Sequence, residues 1–140
     1  MNLFFGLMQF ILILQEDNNY ITMKLGEIVN ILIIDVRKLI MYALNSQATK
    51  GSQKALMFER HLGYTQNNYE SLLTQIYAKA LNTDTIPTIK DDYGQRYQVD
   101  IEIMGIYPHQ KEIVRTGWIV SPLNNNVARL VTLYVRKKHD

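Results

Sequence analysis

A chain of 140 residues has room for one domain with a substantial core, and not for two of ordinary size. Hydrophobic residues at 47% and charged residues at 20% exclude a disordered chain, and the absence of cysteine excludes a disulfide framework and cysteine zinc sites and fits a reducing, cytoplasmic setting. The formal net charge of +2 is too small to announce a nucleic-acid partner, although Lys111, Arg115, Arg129, Arg136, Lys137 and Lys138 outnumber Glu112 and Asp140 towards the C-terminus.

The first segment, NLFFGLMQFILIL over residues 2–14, is almost uniformly apolar. It is shorter than the roughly 20 residues of a membrane-crossing helix. No Lys or Arg precedes Lys24, so the positive start of a signal peptide is missing. Met23 opens MKLGEIVN, which reads like a protein start. The expected organisation is a single domain over residues 23–140, with 1–22 an upstream extension from start-codon choice. The competing reading is a membrane-associating segment, and a membrane is not among the expected partners.

Three helices are expected next. Val36, Leu39, Ile40, Ala43 and Leu44 recur at helical spacing, with Asp35 as N-cap. Residues 45–53 are a loop by composition. Ser52 is placed to cap a second helix, QKALMFERHL, whose buried side is Ala55, Phe58 and Leu62 and whose left-handed C-cap is Gly63. Thr65 is placed to cap a third, with Tyr69, Leu72, Leu73, Ile76, Tyr77 and Ala80 as a wide apolar stripe. Pro87 and its Thr and Asp neighbours end the helical half.

The period then becomes two. Tyr97, Val99, Ile101 and Ile103 alternate with Arg96, Gln98, Asp100 and Glu102. KEIVRTGWIV (residues 111–120) is a second strand, SPLNNN a turn, and VARLVTLYVRKK (residues 127–138) a third strand. In that last strand Val131, Leu133 and Val135 point one way and Thr132, Tyr134 and Arg136 the other. The fold class is therefore α+β: N-terminal helices, then a small antiparallel meander with the helices packed on one face. The open face shows Arg96, Gln98, Asp100, Thr132, Tyr134 and Arg136. The middle strand adds either Val114, Thr116 and Trp118 or Ile113, Arg115 and Gly117; alternation alone does not choose.

No P-loop, paired-His metal motif or nucleophile elbow is present. His61, His109 and His139 read first as surface residues, with His109 in the YPHQK loop a reserve general acid. Asp100 and Glu102 are neighbours on one strand face, but no third ligand is in view, so no metal is expected. No cofactor is expected either. The stronger constellation is Lys54, Arg96, Arg115, Arg129, Thr132 and Tyr134. RNA cleavage needs cations on the phosphate and a group that moves a proton. Arg supplies a two-pronged phosphate contact, Lys a point charge, and Trp118 or Tyr134 a surface for a base. Spacing alone favours an ordinary sheet face with salt bridges to Asp100 and Glu102.

Two long stretches carry a resemblance: YALNSQATKGSQKALMFERHLGYT, and DDYGQRYQVDIEIMG followed by VRTGWIV and ARLVTLYV. Gly51, Lys54, Ala55, Phe58, Leu62 and Gly63, then Tyr93, Gly94 and Tyr97, then Trp118, then Arg129, Leu130, Thr132 and Tyr134 resemble domain of unknown function 6883, over about residues 30–136. The resemblance implies a toxin-like bacterial protein, with helices before an antiparallel sheet as in the barnase–EndoU–colicin–RelE ribonuclease group. It also implies a small antitoxin-like partner protein. One departure is that the family's loop tends to read Asn-Pro-x-His-Pro, where this chain has Asn45, Ser46, Gln47, Ala48 and Thr49.

The resulting expectation is a toxin-like, metal-independent endoribonuclease or a degenerate relative. Lys54, Arg96, Arg115, Thr132, Tyr134 and His109 are its catalytic set, and Arg129, Trp118 and Arg136 hold substrate. The alternative is a non-catalytic module that binds a small partner on the same sheet.

Overall fold

A computed structural model describes residues 22–138. The apolar stretch over residues 2–14 and His139 lie outside them. Among the described residues no helix is long and apolar enough to cross a membrane.

Three strands form the centre of the sheet, as their alternation requires. Gly94–Met104, Lys111–Val120 and Val127–Val135 run consecutively antiparallel. A further strand, Asp84–Asp91, precedes them and folds back on Gly94–Met104 through the two-residue turn at Asp92 and Tyr93. It contains Pro87, expected only to end the helical half. Proline is tolerated there because part of that strand is a sheet edge.

Two more strands lie before the helices: Met23–Lys24, antiparallel to Asp84–Asp91, and Ile31–Ile33, parallel to Val127–Val135. In chain order the six are β1 Met23–Lys24, β2 Ile31–Ile33, β3 Asp84–Asp91, β4 Gly94–Met104, β5 Lys111–Val120 and β6 Val127–Val135, arranged β1-β3-β4-β5-β6-β2. The expectation of N-terminal helices followed by an antiparallel meander is therefore corrected: the sheet is mixed, and its two outermost strands come first. Strands of two and three residues are too short to print a period in the sequence. A flat sheet would separate β1 from β2 by about 24 Å, at ~4.8 Å per strand. The connection includes a 3₁₀ turn, Leu25–Glu27, and is shorter than that. The sheet must curl.

Two α-helices fill its concave side. Helix α1, Ser52–Leu62, packs on β5 and β6, and α2, Glu70–Lys79, packs on β4. Ala55, Phe58 and Leu62 are buried as expected. Gly63 ends α1 with φ 77°, and its N–H and that of Tyr64 bond back to Glu59 and Phe58 carbonyls. The expected N-caps differ. Gly51, at φ 84°, holds the position assigned to Ser52, and no side chain caps the helix. Thr65 starts a turn with Asn67 and Asn68, so α2 begins only at Glu70. The first expected helix is a six-residue π-helical segment, Lys38–Ala43, closed by Leu44 N–H on Leu39 O at 2.8 Å.

The core joins Phe58, Leu62, Tyr64, Leu72 and Ile76 to the inner faces of β4, β5 and β6. Tyr64 is wholly buried, and its hydroxyl bonds to Met104 O and receives Gln75 Nε2. Gln75 also accepts the Met104 N–H at 2.8 Å, so one α2 side chain completes the end of β4. Tyr97 differs: it is 1% exposed, and its hydroxyl has no partner among the described residues.

Candidate functional site

The register decides which face of β5 is open. Tyr97, Val99 and Ile101 lie opposite Trp118, Thr116 and Val114, and all six are buried. Trp118 Nε1 donates to Thr116 Oγ1 at 2.7 Å, and that hydroxyl donates to Val99 O at 2.7 Å. The two polar groups that made either phase plausible thus satisfy each other inside the core. Trp118 is 1% exposed and cannot serve as a base-stacking surface, which corrects its expected role. The open row is Ile113, Arg115, Gly117 and Ile119, opposite Glu102, Asp100, Gln98 and Arg96.

The β6 row needs one correction. Gly117 pairs with Thr132 but Trp118 with Leu130, so Val131 is an extra residue in a β-bulge. Leu130, not Val131, enters the core, and Val131 turns towards the open side. Beyond the bulge the expected alternation holds, with Leu133 and Val135 buried and Thr132 and Tyr134 outward.

The bulge shapes a groove of about 190 Å³. Thr88, Arg96, Gln98, Arg115, Thr132 and Tyr134 line it, with Gly117 in its floor. A Cβ on Gly117 would stand 2.7 Å from Thr132 Oγ1, so only glycine leaves the hydroxyl its place. Four of the residues expected to act together, from three strands, do meet here. Gln98, Gly117 and Thr88 were not singled out as site residues. Gln98 stood in the period-two row, and Thr88 lay beside Pro87, among residues expected only to end the helical half.

Electrostatics divides the cations. Asp100 takes two of them: Arg115 forms a fork at 3.0 and 3.1 Å, and Arg136 Nη1 lies at 3.0 Å. The Asp100 carboxylate raises the Arg115 pKa further, burial opposes the rise, and the Tyr134 hydroxyl adds to it. Arg115 is thus a cation fixed in the wall of the groove. Arg96 is held loosely by Asp91 at 3.9 Å. Lys54 comes from the first turn of α1 and sets its ammonium 4.6 Å from the Tyr134 ring centroid. Tyr134 therefore sits between a guanidinium and an ammonium.

The remaining expected residues are elsewhere. Arg129 is exposed at the β6 start, beside Ile33 and Ile119, and does not line the groove. Arg136 does not line it and bonds instead to Asp100, the partner of Arg115. His109 lies in the turn between β4 and β5, exposed and stacked on Tyr107, and is not brought to the groove. Ala48 is half-buried in the turn before α1, whose Thr49 lines a depression shared with Lys54 and Tyr134.

Residues 24–137 match the family described as domain of unknown function DUF6883. The chain belongs to this family. In this DUF6883 domain the match runs from β1 past the end of β6 and so takes in the whole groove. No curated protein matches significantly. Among solved structures, the fold is similar to a chain of a contact-dependent growth inhibition toxin–immunity protein complex from Klebsiella pneumoniae 342. The TM-score is 0.56 at 18% identity, covering 74% of this chain and 99% of that one. At that identity the likeness is one of fold.

Proposed function

We propose that this domain is a toxin-like module whose open sheet face cleaves RNA in the cytoplasm. The observation that carries the reading is the groove itself, which converges Arg96, Arg115, Thr132 and Tyr134 from three strands with Lys54 from a helix. The fold shared with a chain of a toxin–immunity protein complex agrees with it. The groove presents cations, and its neighbouring carboxylate is committed to two guanidiniums. That charge suits a phosphate rather than a divalent metal.

The chemistry follows from the placement. Arg115 and Arg96 hold a phosphodiester and stabilise charge developing on its non-bridging oxygens. Thr132 and Tyr134 orient the 2′-hydroxyl. Its oxygen attacks phosphorus while the bond to the 5′-oxygen breaks. Tyr134 carries the proton from the nucleophile towards the leaving oxygen, with Lys54 compensating charge beside it. The products are a 2′,3′-cyclic phosphate and a 5′-hydroxyl.

The test is induction of the chain in a bacterial host with total RNA run on a gel. Growth arrest with discrete fragments, relieved by Tyr134→Phe, is expected. Intact RNA from both the wild-type chain and Ala48→His would overturn catalysis. A second reading, a non-catalytic module that pairs with a small protein, draws on Asp100, which already neutralises part of the face. Stable co-purification with a small partner protein encoded beside it, together with intact RNA, would favour it.

A further inference from the structure

A second depression, of about 350 Å³, adjoins the groove across the β6 bulge, and Val131 and Thr132 line both. Its other walls bring Lys38 and Tyr42 from the π-helical segment together with Lys50 from the turn before α1 and Lys54 from the first turn of α1. Among the described residues no carboxylate lines it. None of these three lysines makes an ion pair among the described residues. Asp35, an acid close to them in sequence, is taken by the Arg37 guanidinium. Three like charges around one small depression repel, and an anion would relieve them.

Tyr42 supplies the other half of a nucleotide site. It is 62% exposed, and the Lys38 ammonium lies 5.8 Å from its ring centroid. A large aromatic left in solvent beside unpaired cations suits a base above a phosphate. Only an unpaired base offers its face, so the pattern suits a single strand over a duplex.

We infer that this depression is a flanking-nucleotide subsite for single-stranded RNA, with a base stacked on Tyr42 and the adjoining phosphate held by Lys38 and Lys50. It rests on the ribonuclease reading of the groove, and extends it to the next nucleotide of the same strand, with Lys54 at the boundary.

The test uses the full chain and two probes. The first is binding of a fluorescein-labelled, 2′-O-methylated six-nucleotide single strand, followed by anisotropy across a salt series. Tyr42→Ala is expected to weaken binding about tenfold, within the range for one lost base stack. Lys38→Ala and Lys50→Ala should each lower the slope against log salt by about 0.7. Lys111→Ala, at the far end of β5, is the charge control and should leave the slope near wild type. The second probe is cleavage of an unmodified hexamer and of a dinucleotide. Tyr42→Ala should reduce kcat/KM for the hexamer about tenfold more than for the dinucleotide. A wild-type chain that binds no hexamer, or one bound equally well by Tyr42→Ala, overturns the subsite. Tyr42-dependent binding without cleavage of either RNA keeps the subsite and removes catalysis. Tyr134-dependent cleavage with no Tyr42 effect on the hexamer does the reverse.

Discussion

The cations of the open side fall into two groups that differ in company. On the sheet, Arg115 and Arg136 converge on Asp100, and Arg115 is gripped at two points. At the helical edge, Lys38, Lys50 and Lys54 make no ion pair among the described residues, and Lys38 and Lys54 each face an aromatic ring. A forked guanidinium is fixed in direction and part of its charge is already answered, so it is suited to place one phosphate. A solvated ammonium on a flexible stem is suited to attract a strand and follow it. The pairing that looks structural on the sheet thus gives precision, and the unpaired edge gives reach.

The sharpest way to break this contrast is at Arg115. Arg115→Ala should lower RNA cleavage about 100-fold or more, as loss of a fixed transition-state donor does. Arg115→Lys should recover little, because the charge returns without the fork. Lys54→Arg, on the reach side, should keep most activity. Initial rates on one RNA substrate would order the three variants.

Asp100→Asn tests the pairing from its other partner. It should destabilise the fold by about 1–2 kcal/mol in urea melts, a value discounted for the partial exposure of the cluster. It should also strengthen low-salt RNA binding, since two arginines are released, while slowing cleavage. Gly117→Ala removes the room beneath Thr132. It should cost about 1–2 kcal/mol of stability by overpacking and lower cleavage about tenfold without altering salt dependence.

The smallest effect belongs to the core face. Burial pushes the Tyr97 phenol up to about 12 from its usual 10.0. The folded state then keeps its proton between about pH 10 and 12 while the unfolded chain loses it, so stability falls as pH rises through that window. Tyr97→Phe removes the unpartnered hydroxyl. It should raise stability by about 1 kcal/mol at neutral pH and flatten the alkaline decline.

Much of this was legible in residue order. The alternation in β4 and β6 placed Arg96, Gln98, Asp100, Thr132 and Tyr134 on one face, and Gly63 marked the end of α1. The phase of β5 was not legible, because Thr116 and Arg115 are both polar. Only the hydrogen bonds from Trp118 to Thr116 to Val99 hide one of them. The bulge at Val131 was equally invisible, since Leu130 and Val131 are both apolar and either fills a core position. β1 and β2 carry too few residues for a period, and the pairing of β2 with β6 joins residues about 96 apart in the chain. The basic pocket was missed because Tyr42 and Lys38 sit on what read as a plain amphipathic helix, and only the tertiary fold brings Lys50 and Thr132 to them.

The most direct measurement is incubation of the purified full chain with a defined single-stranded RNA, wild type beside Arg115→Ala and Tyr134→Phe, with the product ends identified by mass spectrometry. The account predicts 2′,3′-cyclic phosphate and 5′-hydroxyl ends from the wild type, and at least a 100-fold slower reaction from both variants. Cleavage that survives both substitutions, or RNA left intact by the wild type, would contradict it.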